Sequence, residues 1–510
     1  MRSSFNCSAL IAACLLLAPV ASHSQYSVKS YPLQSVTGNV PLEVDLNRDG
    51  VPDFIGGTQS YQNLISSNGT YAGKSLGSST PEGAVGDFNH DGILDYAIGS
   101  GNYLYIYYGN STGGFTPGPT ATGPAGVMYA VGDFNGDGRP DIAALFLIPA
   151  SSTVGGGFGV ALFINDGSGF SNGKTIFQTT YPIGNQNGFG GSEPGITVSV
   201  PFIDFAIGDF DADGHADLML RTLRSSSNTS PSVPVTFIRV LYGDGKGNFT
   251  TKTVTSGNNL DQVSVADMNN DGKSDIVALN GNKTTIYYGH SDRTFSSASI
   301  STPGGVYLEP MLLDVTGDGL KDLVYTAVCP STFTCPDVPS GEVPTGIITL
   351  TQTATHTFTG AKFTQVQDTF EGTYIGDLNH DGKLDVALHT GDEQVYYSDN
   401  SHLYVASNTR SISAYCSAPA GSGFHICSPA SGATVASPVS FSFSASSLFP
   451  IRKLEVWVDG SKKSETYNSV GEQAFARKSL SLASGKHTVT LVAGGYDGTS
   501  QKKSYSLTVK

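Results

Sequence analysis

A nine-residue phrase, Asp-x-(Asp/Asn/Thr)-x-Asp-Gly-x-x-Asp, recurs seven times in this 510-residue chain, beginning at Asp45, Asp87, Asp133, Asp209, Asp267, Asp314 and Asp377. Oxygen-bearing side chains at alternate positions, a glycine that turns the backbone and a closing aspartate describe a cage for a hard cation. Ca²⁺ accepts six to eight such ligands. A phrase that returns with a short apolar run behind it each time also marks one structural unit used repeatedly, so it constrains architecture as well as chemistry.

The expected ligands of each loop are its side chains at positions one, three, five and nine, with the carbonyl of position seven. They are Asp45, Asn47, Asp49, Val51 and Asp53; Asp87, Asn89, Asp91, Ile93 and Asp95; Asp133, Asn135, Asp137, Arg139 and Asp141. The later loops supply Asp209, Asp211, Asp213, His215 and Asp217; Asp267, Asn269, Asp271, Lys273 and Asp275; Asp314, Thr316, Asp318, Leu320 and Asp322; Asp377, Asn379, Asp381, Lys383 and Asp385. A threonine hydroxyl is a weaker donor than a carboxylate or amide, so loop six is expected to bind weakest. Loop four, with four carboxylates, is expected to be among the tightest. An EF-hand would need a bidentate Glu at position twelve, where this chain has Gly56, Ile98, Ala144, Leu220, Ala278, Tyr325 and Leu388. The run behind each loop is short and apolar, which predicts a strand.

The seven loops hold 22 of the 43 acidic residues of a chain whose net charge is −15. Seven divalent ions would nearly neutralise it, whereas bare clusters repel themselves. At about 1 mM calcium, sites of extracellular affinity would each add about 0.4 to 1.4 kcal/mol. The expected cofactor is therefore Ca²⁺, up to seven ions, in a structural role.

Copies are spaced 42, 46, 76, 58, 47 and 63 residues apart, and a period of this size with strand-like content predicts four-stranded propeller blades. In each unit an inner strand ends in the loop and a second leaves it. A third ends in a small residue, as in Tyr105-Ile106-Tyr107-Tyr108-Gly109, Leu241-Tyr242-Gly243 and Ile286-Tyr287-Tyr288-Gly289. A fourth begins near an aromatic: Phe115, Phe249 and Phe295, with Tyr71, Phe170, Phe358 and Tyr404 in the matching places. Residues Tyr26 to Leu33 are expected to close the ring against the last blade, and the Gly- and Asn-rich stretch from Gly155 to Gly195 to form extended surface loops.

Phrases such as Ala130-Val131-Gly132-Asp133-Phe134-Asn135-Gly136-Asp137-Gly138 resemble the FG-GAP or VCBS repeats, bacterial relatives of the repeats in integrin α-subunit heads, over about residues 26 to 408. The resemblance implies an all-β, seven-bladed β-propeller that binds calcium. The literal Phe-Gly and Gly-Ala-Pro phrases are missing, which places the chain nearer the bacterial form. Such proteins include adhesion proteins, lectins and some polysaccharide lyases, so the fold does not select a function.

Arg2, the apolar run Ala9 to Val20 and the small residues around Ser22 to Ser24 predict a secretory signal peptide over 1–24, cleaved before Gln25 or, as second choice, before His23. The expected location is secreted or periplasmic, and no later stretch is long and apolar enough to span a bilayer. Ile11-Ala12-Ala13-Cys14 also reads as a lipoprotein box, although the apolar run continues past it. Of the remaining cysteines, closeness in sequence favours Cys329 with Cys335 and Cys416 with Cys427 over a zinc site.

The domains read as 25–409 propeller, 410–427 linker and 428–510 a small β-sandwich, with alternating runs at Val439 to Phe443, Leu454 to Val458, Lys478 to Leu482, His487 to Val492 and Ser504 to Val509. Gly485-Lys486-His487-Thr488-Val489-Thr490-Leu491 resembles the late strands of bacterial Ig-like modules, usually spacers or attachment domains. Trp457, the only tryptophan, is expected to pack against the opposite sheet.

Tyr103, Tyr105, Tyr107 and Tyr108, Tyr287 and Tyr288, and Tyr396 and Tyr397 suit stacking on sugars, but suit packing between blades better. His90 and His380 read as solvated turn residues. Glu193, Glu309, Glu371 and Glu393 form no catalytic constellation by spacing, no basic or aromatic-interleaved stretch points to nucleic acid, and the acidic balance argues against anionic membranes. The expected function is a secreted, monomeric, calcium-binding protein that binds or adheres to an extracellular glycan or protein. The rival is a lyase-like, polysaccharide-active enzyme on the same scaffold.

Overall fold

The computed structural model describes residues 26–510 except 33–41, 45–52, 57–58, 64–70, 76–82, 111–113, 150–155, 181–203, 226–233, 259, 261, 282, 303–309, 319, 329–344, 367–369, 377–382, 391–401, 410–415, 420–421, 448–450 and 468–472. The predicted leader and Cys329 with Cys335 lie outside these residues. No described helix is long and apolar enough to cross a membrane.

Among the described residues the chain is all β, with seven four-stranded sheets followed by one of three strands and one of five. Six of the four-stranded sheets are antiparallel meanders, and the seventh is antiparallel with one strand taken from the N-terminal segment. In blade five the strands Gln262–Ala266, Asp275–Asn280, Lys283–Gly289 and Phe295–Ser301 follow one another outward, and Ala266 stands opposite Asp275 across the metal loop. The middle strands are covered on both faces by neighbouring blades, so they are apolar throughout, as in Asp141–Ile148 and Gly157–Phe163. Outer strands alternate exposed and half-buried residues instead.

Ring closure follows the expectation. Tyr26–Pro32 pairs antiparallel with His402–Asn408, Tyr26 opposite Asn408 and Pro32 opposite His402, while the inner strands of blades one and seven touch. Two expectations are corrected. Tyr404 lies on the third strand of blade seven, because the N-terminal segment supplies the fourth. The stretch 155–195 is not all loop: it contains Gly157–Phe163 and Lys174–Thr180, the outer half of blade three, whose Gly residues sit within a strand packed closely between neighbours.

Two devices join successive blades. The second residue of a metal loop is buried and packs on the aromatic at the fourth strand of the next blade: Phe88 on Phe170 at 5.4 Å, Phe134 on Phe249 at 5.9 Å and Phe210 on Phe295 at 6.3 Å between ring centroids. A polar staple crosses the same seam, with Asn165 donating to the Phe88 carbonyl at 2.8 Å, Gln352 to that of Met268 at 3.1 Å and Asn408 to that of Val315 at 3.0 Å. In blades two, four and five the same place is Gly109, Gly243 or Gly289.

The C-terminal domain is a two-sheet sandwich. Gly423–Ser428, Val439–Ser446 and Gln473–Leu480 form one sheet; Thr434–Val435, Ser500–Val509, Gly485–Gly495, Ile451–Val458 and Ser461–Tyr467 form the other. The first strand comes from residues assigned to the linker by sequence. Cys416 and Cys427 are disulfide-bonded, so their thiols are not metal ligands. Phe441, Phe443, Leu454, Val456, Val458, Val489 and Leu491 build the core. Trp457 is corrected: strand alternation turns it away from Val456 and Val458, and its indole N–H donates to Glu455 at 2.7 Å.

The third strand of blade seven runs toward the metal-loop face, so the chain leaves the ring there and the sandwich rests on that face. Asp133 donates its backbone N–H to the Tyr496 carbonyl at 2.8 Å, and Tyr496 is buried in the cluster that includes Val131 and Ile142. Gly498 has φ +77°, and a Cβ there would stand 2.4 Å from Asp133 Oδ2. The tail is thus a docked domain rather than a spacer held away from the ring.

Candidate metal centre

Loops two, three, five and six are wrapped around their own first aspartate. In loop three, Asp133 Oδ1 accepts from the backbone of Gly136 (2.7 Å) and Asp137 (3.1 Å), and Oδ2 from Gly138 (3.0 Å). Asn135 Oδ1 accepts from Asp137 at 2.9 Å, and Asp137 Oδ1 from Arg139 at 2.9 Å. Loops two and five repeat this pattern through Asp87, Asn89 and Asp91 and through Asp267, Asn269 and Asp271. In loop six, Asp314 accepts from Gly317 and Asp318, the Thr316 hydroxyl donates to Asp314 at 3.3 Å, and Asp318 accepts from Leu320.

Each coil needs two left-handed residues, and sequence reasoning found only the glycine at position six. Position four is the other, at His90 (φ 59°), Ala212 (φ 57°) and Asn270 (φ 58°), or glycine at 136 and 317. The exposed His90 is a turn residue, as expected.

The closing aspartate does more than its spacing disclosed. Asp95, Asp141, Asp217, Asp275 and Asp322 are completely buried. One oxygen accepts from the second loop residue and the other from the residue ending the third strand: Asp217 takes Phe210 N at 2.9 Å and Gly243 N at 2.8 Å, and Asp275 takes Met268 N and Gly289 N, both at 2.9 Å. Asp141 and Asp322 do the same with Phe134 and Asn165 and with Val315 and Gln352. These carboxylates tie the loop to its own blade, and spare lone pairs leave them able to ligate as well.

Loop four departs from the pattern. Asp209, Asp211 and Asp217 bring carboxylate oxygens within 4.8 Å of one another, but Arg452 of the sandwich bonds Asp209 Oδ2, and Arg293 reaches Asp211 at 2.7 Å. The bonds from Asp213 N to Asp211 Oδ1 at 3.2 Å, Gly214 N to Asp209 Oδ2 at 3.2 Å and His215 N to Asp213 Oδ1 at 2.9 Å match the other loops, but Asp209 Oδ1 lacks its bond from the fifth residue. Loop one (Asp45, Asn47, Asp49, Val51, with the Asp53 side chain) and Asp377, Asn379 and Asp381 lie outside the described residues. In loop seven Lys383 is half-buried, and the buried Asp385 accepts from Asn408 N at 2.7 Å.

The electrostatics suit a cation. Burial, reinforced by neighbouring carboxylates, pushes Asp209 and Asp267 up to about 6, Asp95 and Asp141 to about 7, and Asp217 and Asp322 to about 8. Asp209 Oδ1 is buried and accepts no hydrogen bond. Hard oxygen donors at alternate positions, costly to ionise without a counter-charge, fit Ca²⁺. Between loop five and the sandwich lies a crevice of about 270 Å³ lined by Ala212, Asp267, Asn270, Asp271, Gly272, Glu465, Thr466 and Lys478.

Other candidates resolve as packing. Tyr105 and Tyr107 pack on Leu94, Tyr96 and Ile98, Tyr287 and Tyr288 belong to inter-blade clusters, and Tyr103, 48% exposed, leans on Tyr105. Tyr396, Tyr397, His380 and the side chains of Glu193, Glu309, Glu371 and Glu393 lie outside the described residues.

A profile of the FG-GAP-like repeat matches residues 87–144, 209–278 and 267–325, the segments that carry loops two to six. The chain carries FG-GAP-like repeats. A bacterial Ig domain profile matches 424–491, within the sandwich. No match was found among curated protein sequences. Solved structures similar to this FG-GAP-like chain include an Agrocybe aegerita lectin that recognises non-reducing terminal N-acetylglucosamine (14% identity, 76% of this chain and 96% of the other, TM-score 0.44). Others are the V. cholerae biofilm matrix protein Bap1 (12%, 76% and 92%, TM-score 0.35) and the WD40 domain of Toxoplasma gondii coronin (10%, 76% and 88%, TM-score 0.39).

Proposed function

We propose that this is a secreted binding protein in which calcium, held by the Asp-rich loops, stiffens one end of the propeller while the opposite end meets an extracellular glycan or protein. The observation that carries the reading is the docking of the Ig-like domain on the metal-loop face, with contacts at Asp133, Asp209 and Gly214. That face is engaged within the chain, which leaves the other end of the ring for a partner. The strand ends at Ile148 and Gly157, Thr180 and Asp204, Ser225 and Pro234, and Val328 and Thr345, between which the longer intervals of sequence fall, all point to that other side, while the metal loops keep one length in sequence. Insertions gathered on one face of a repeat protein are a common basis for recognition.

In the bound state calcium would supply charge compensation at Asp87, Asp133, Asp267 and Asp314 and their loop partners, holding the inner ends of neighbouring blades in place. A glycan array run with and without chelator tests the reading, with retention lost on chelation as the expected result. An assay for unsaturated products from pectic polysaccharides runs beside it, and product formation would move the assignment to a lyase.

A further inference from the structure

Arg452 reaches loop four from the Ig-like domain, more than two hundred residues away in sequence. Its Nη2 bonds Asp209 Oδ2 and its Nη1 donates to the Gly214 carbonyl at 3.1 Å, with the side chain 13% exposed. The guanidinium therefore sits on the first expected metal ligand of the loop. From the other side Arg293 bonds Asp211 Oδ2 at 2.7 Å, approaches Asp213 Oδ2 at 3.5 Å and lies over the Tyr242 ring. Three carboxylates face two guanidinium groups.

The loop's internal wrapping changes accordingly. In loops two, three, five and six the first aspartate's Oδ1 accepts from the backbone of the fifth residue. In loop four Asp209 Oδ1 accepts nothing although it is buried, and the fifth residue, Asp213, keeps only its bond to the third, Asp211, which loops two, three and five also make. Asp209 Oδ2 is shared between Gly214 N of its own loop, at 3.2 Å, and the arginine, while Oδ1 has lost the backbone donor it has in the other loops. A divalent ion placed against the same oxygens would stand within a few ångströms of a fixed positive charge, where repulsion is strong.

We propose that Arg452 and calcium compete for Asp209, so that loop four is held by arginine while the Ig-like domain is seated and loosens that domain when it takes up metal. This rests on the calcium reading of the proposed function. Linkage makes the effect reciprocal: whatever factor docking takes from calcium affinity at loop four, calcium takes from docking. Loop four thus changes from one of the tightest expected sites to the one whose occupancy reports on domain position.

Calcium titration of the full chain by calorimetry, with the radius of gyration followed by X-ray scattering, tests the competition. Arg452→Gln is expected to bind one calcium about tenfold or more tighter than the parent. That gain should vanish in the double variant Arg452→Gln with Asp209→Asn. The parent's radius of gyration should rise as the last site fills. Titration of Arg452→Gln indistinguishable from the parent, or an unchanged radius at saturating calcium, would overturn the proposal. Absence of binding in both proteins would instead sink the calcium reading, and the competition with it.

Discussion

Asn165 offers a sharp test of how the blades are joined, because its role is independent of metal. It is 1% exposed and serves three bonds from one amide: Nδ2 donates to the carbonyls of Phe88 at 2.8 Å and Pro140 at 3.3 Å, and Oδ1 accepts from Gly167 N at 3.0 Å. Asn165→Ala removes all three and strands the Phe88 carbonyl in the seam between blades two and three. Each net hydrogen bond is worth about 1 kcal/mol and a stranded buried group costs about 1 to 3, so the expected loss is about 2 to 4 kcal/mol. Asn165→Asp keeps the acceptor and the shape but deletes the donors and sets a second carboxylate beside Asp141, which accepts from the Asn165 backbone at 2.8 Å. It should be at least as damaging. Urea unfolding followed by fluorescence, in calcium and in chelator, would measure both variants. A loss below about 0.5 kcal/mol for alanine, an aspartate variant as stable as the parent, or an effect present only with calcium would refute the staple.

Gly289→Ala places a Cβ 2.7 Å from the Phe210 carbonyl and 2.8 Å from that of Ser274. A destabilisation of about 1 to 3 kcal/mol is expected in urea unfolding, and a neutral result would contradict the close approach of blades four and five. In chelator the protein should lose stability as pH rises. Burial lifts Asp95 and Asp141 to about 7 and Asp217 and Asp322 to about 8, above the ordinary 3.8, so the folded state retains protons that the unfolded chain releases. That stabilisation is complete below the ordinary value and is lost as pH passes through about 7 to 8. A midpoint that stays flat from pH 5 to 8 in chelator would count against it.

The legible part of the chain is whatever repeats within it. The Asp-Gly phrase carries the blade count, the turn at Gly109 before Phe115 carries the strand order, and the closing role of Tyr26–Pro32 comes from the need for a fourth strand. The hidden part depends on contacts between segments far apart. That Asp217 reaches Gly243, or Asn165 reaches Phe88, is a property of the packed ring. Tyr404 falls outside its expected place because a strand borrowed from the other end of the chain shifts blade seven by one position. Trp457 faces the other way because alternation fixes which residues share a face but not which face is inward. Arg452 carries no local signal at all: a lone arginine at the start of a strand acquires meaning only once its domain lies on loop four.

Because the first described strand, Tyr26–Pro32, is the final piece of the ring, the propeller is finished by an event that spans nearly its whole length. Until His402–Asn408 has been made, Tyr26–Pro32 has no place to go, and six units must wait beside an unfilled rim. Closing so long a circuit is slow in entropic terms. An interrupted chain would present bare strand edges to its neighbours. Folding in this protein therefore resembles fastening a belt, and damage to either tip of it should be felt all the way round.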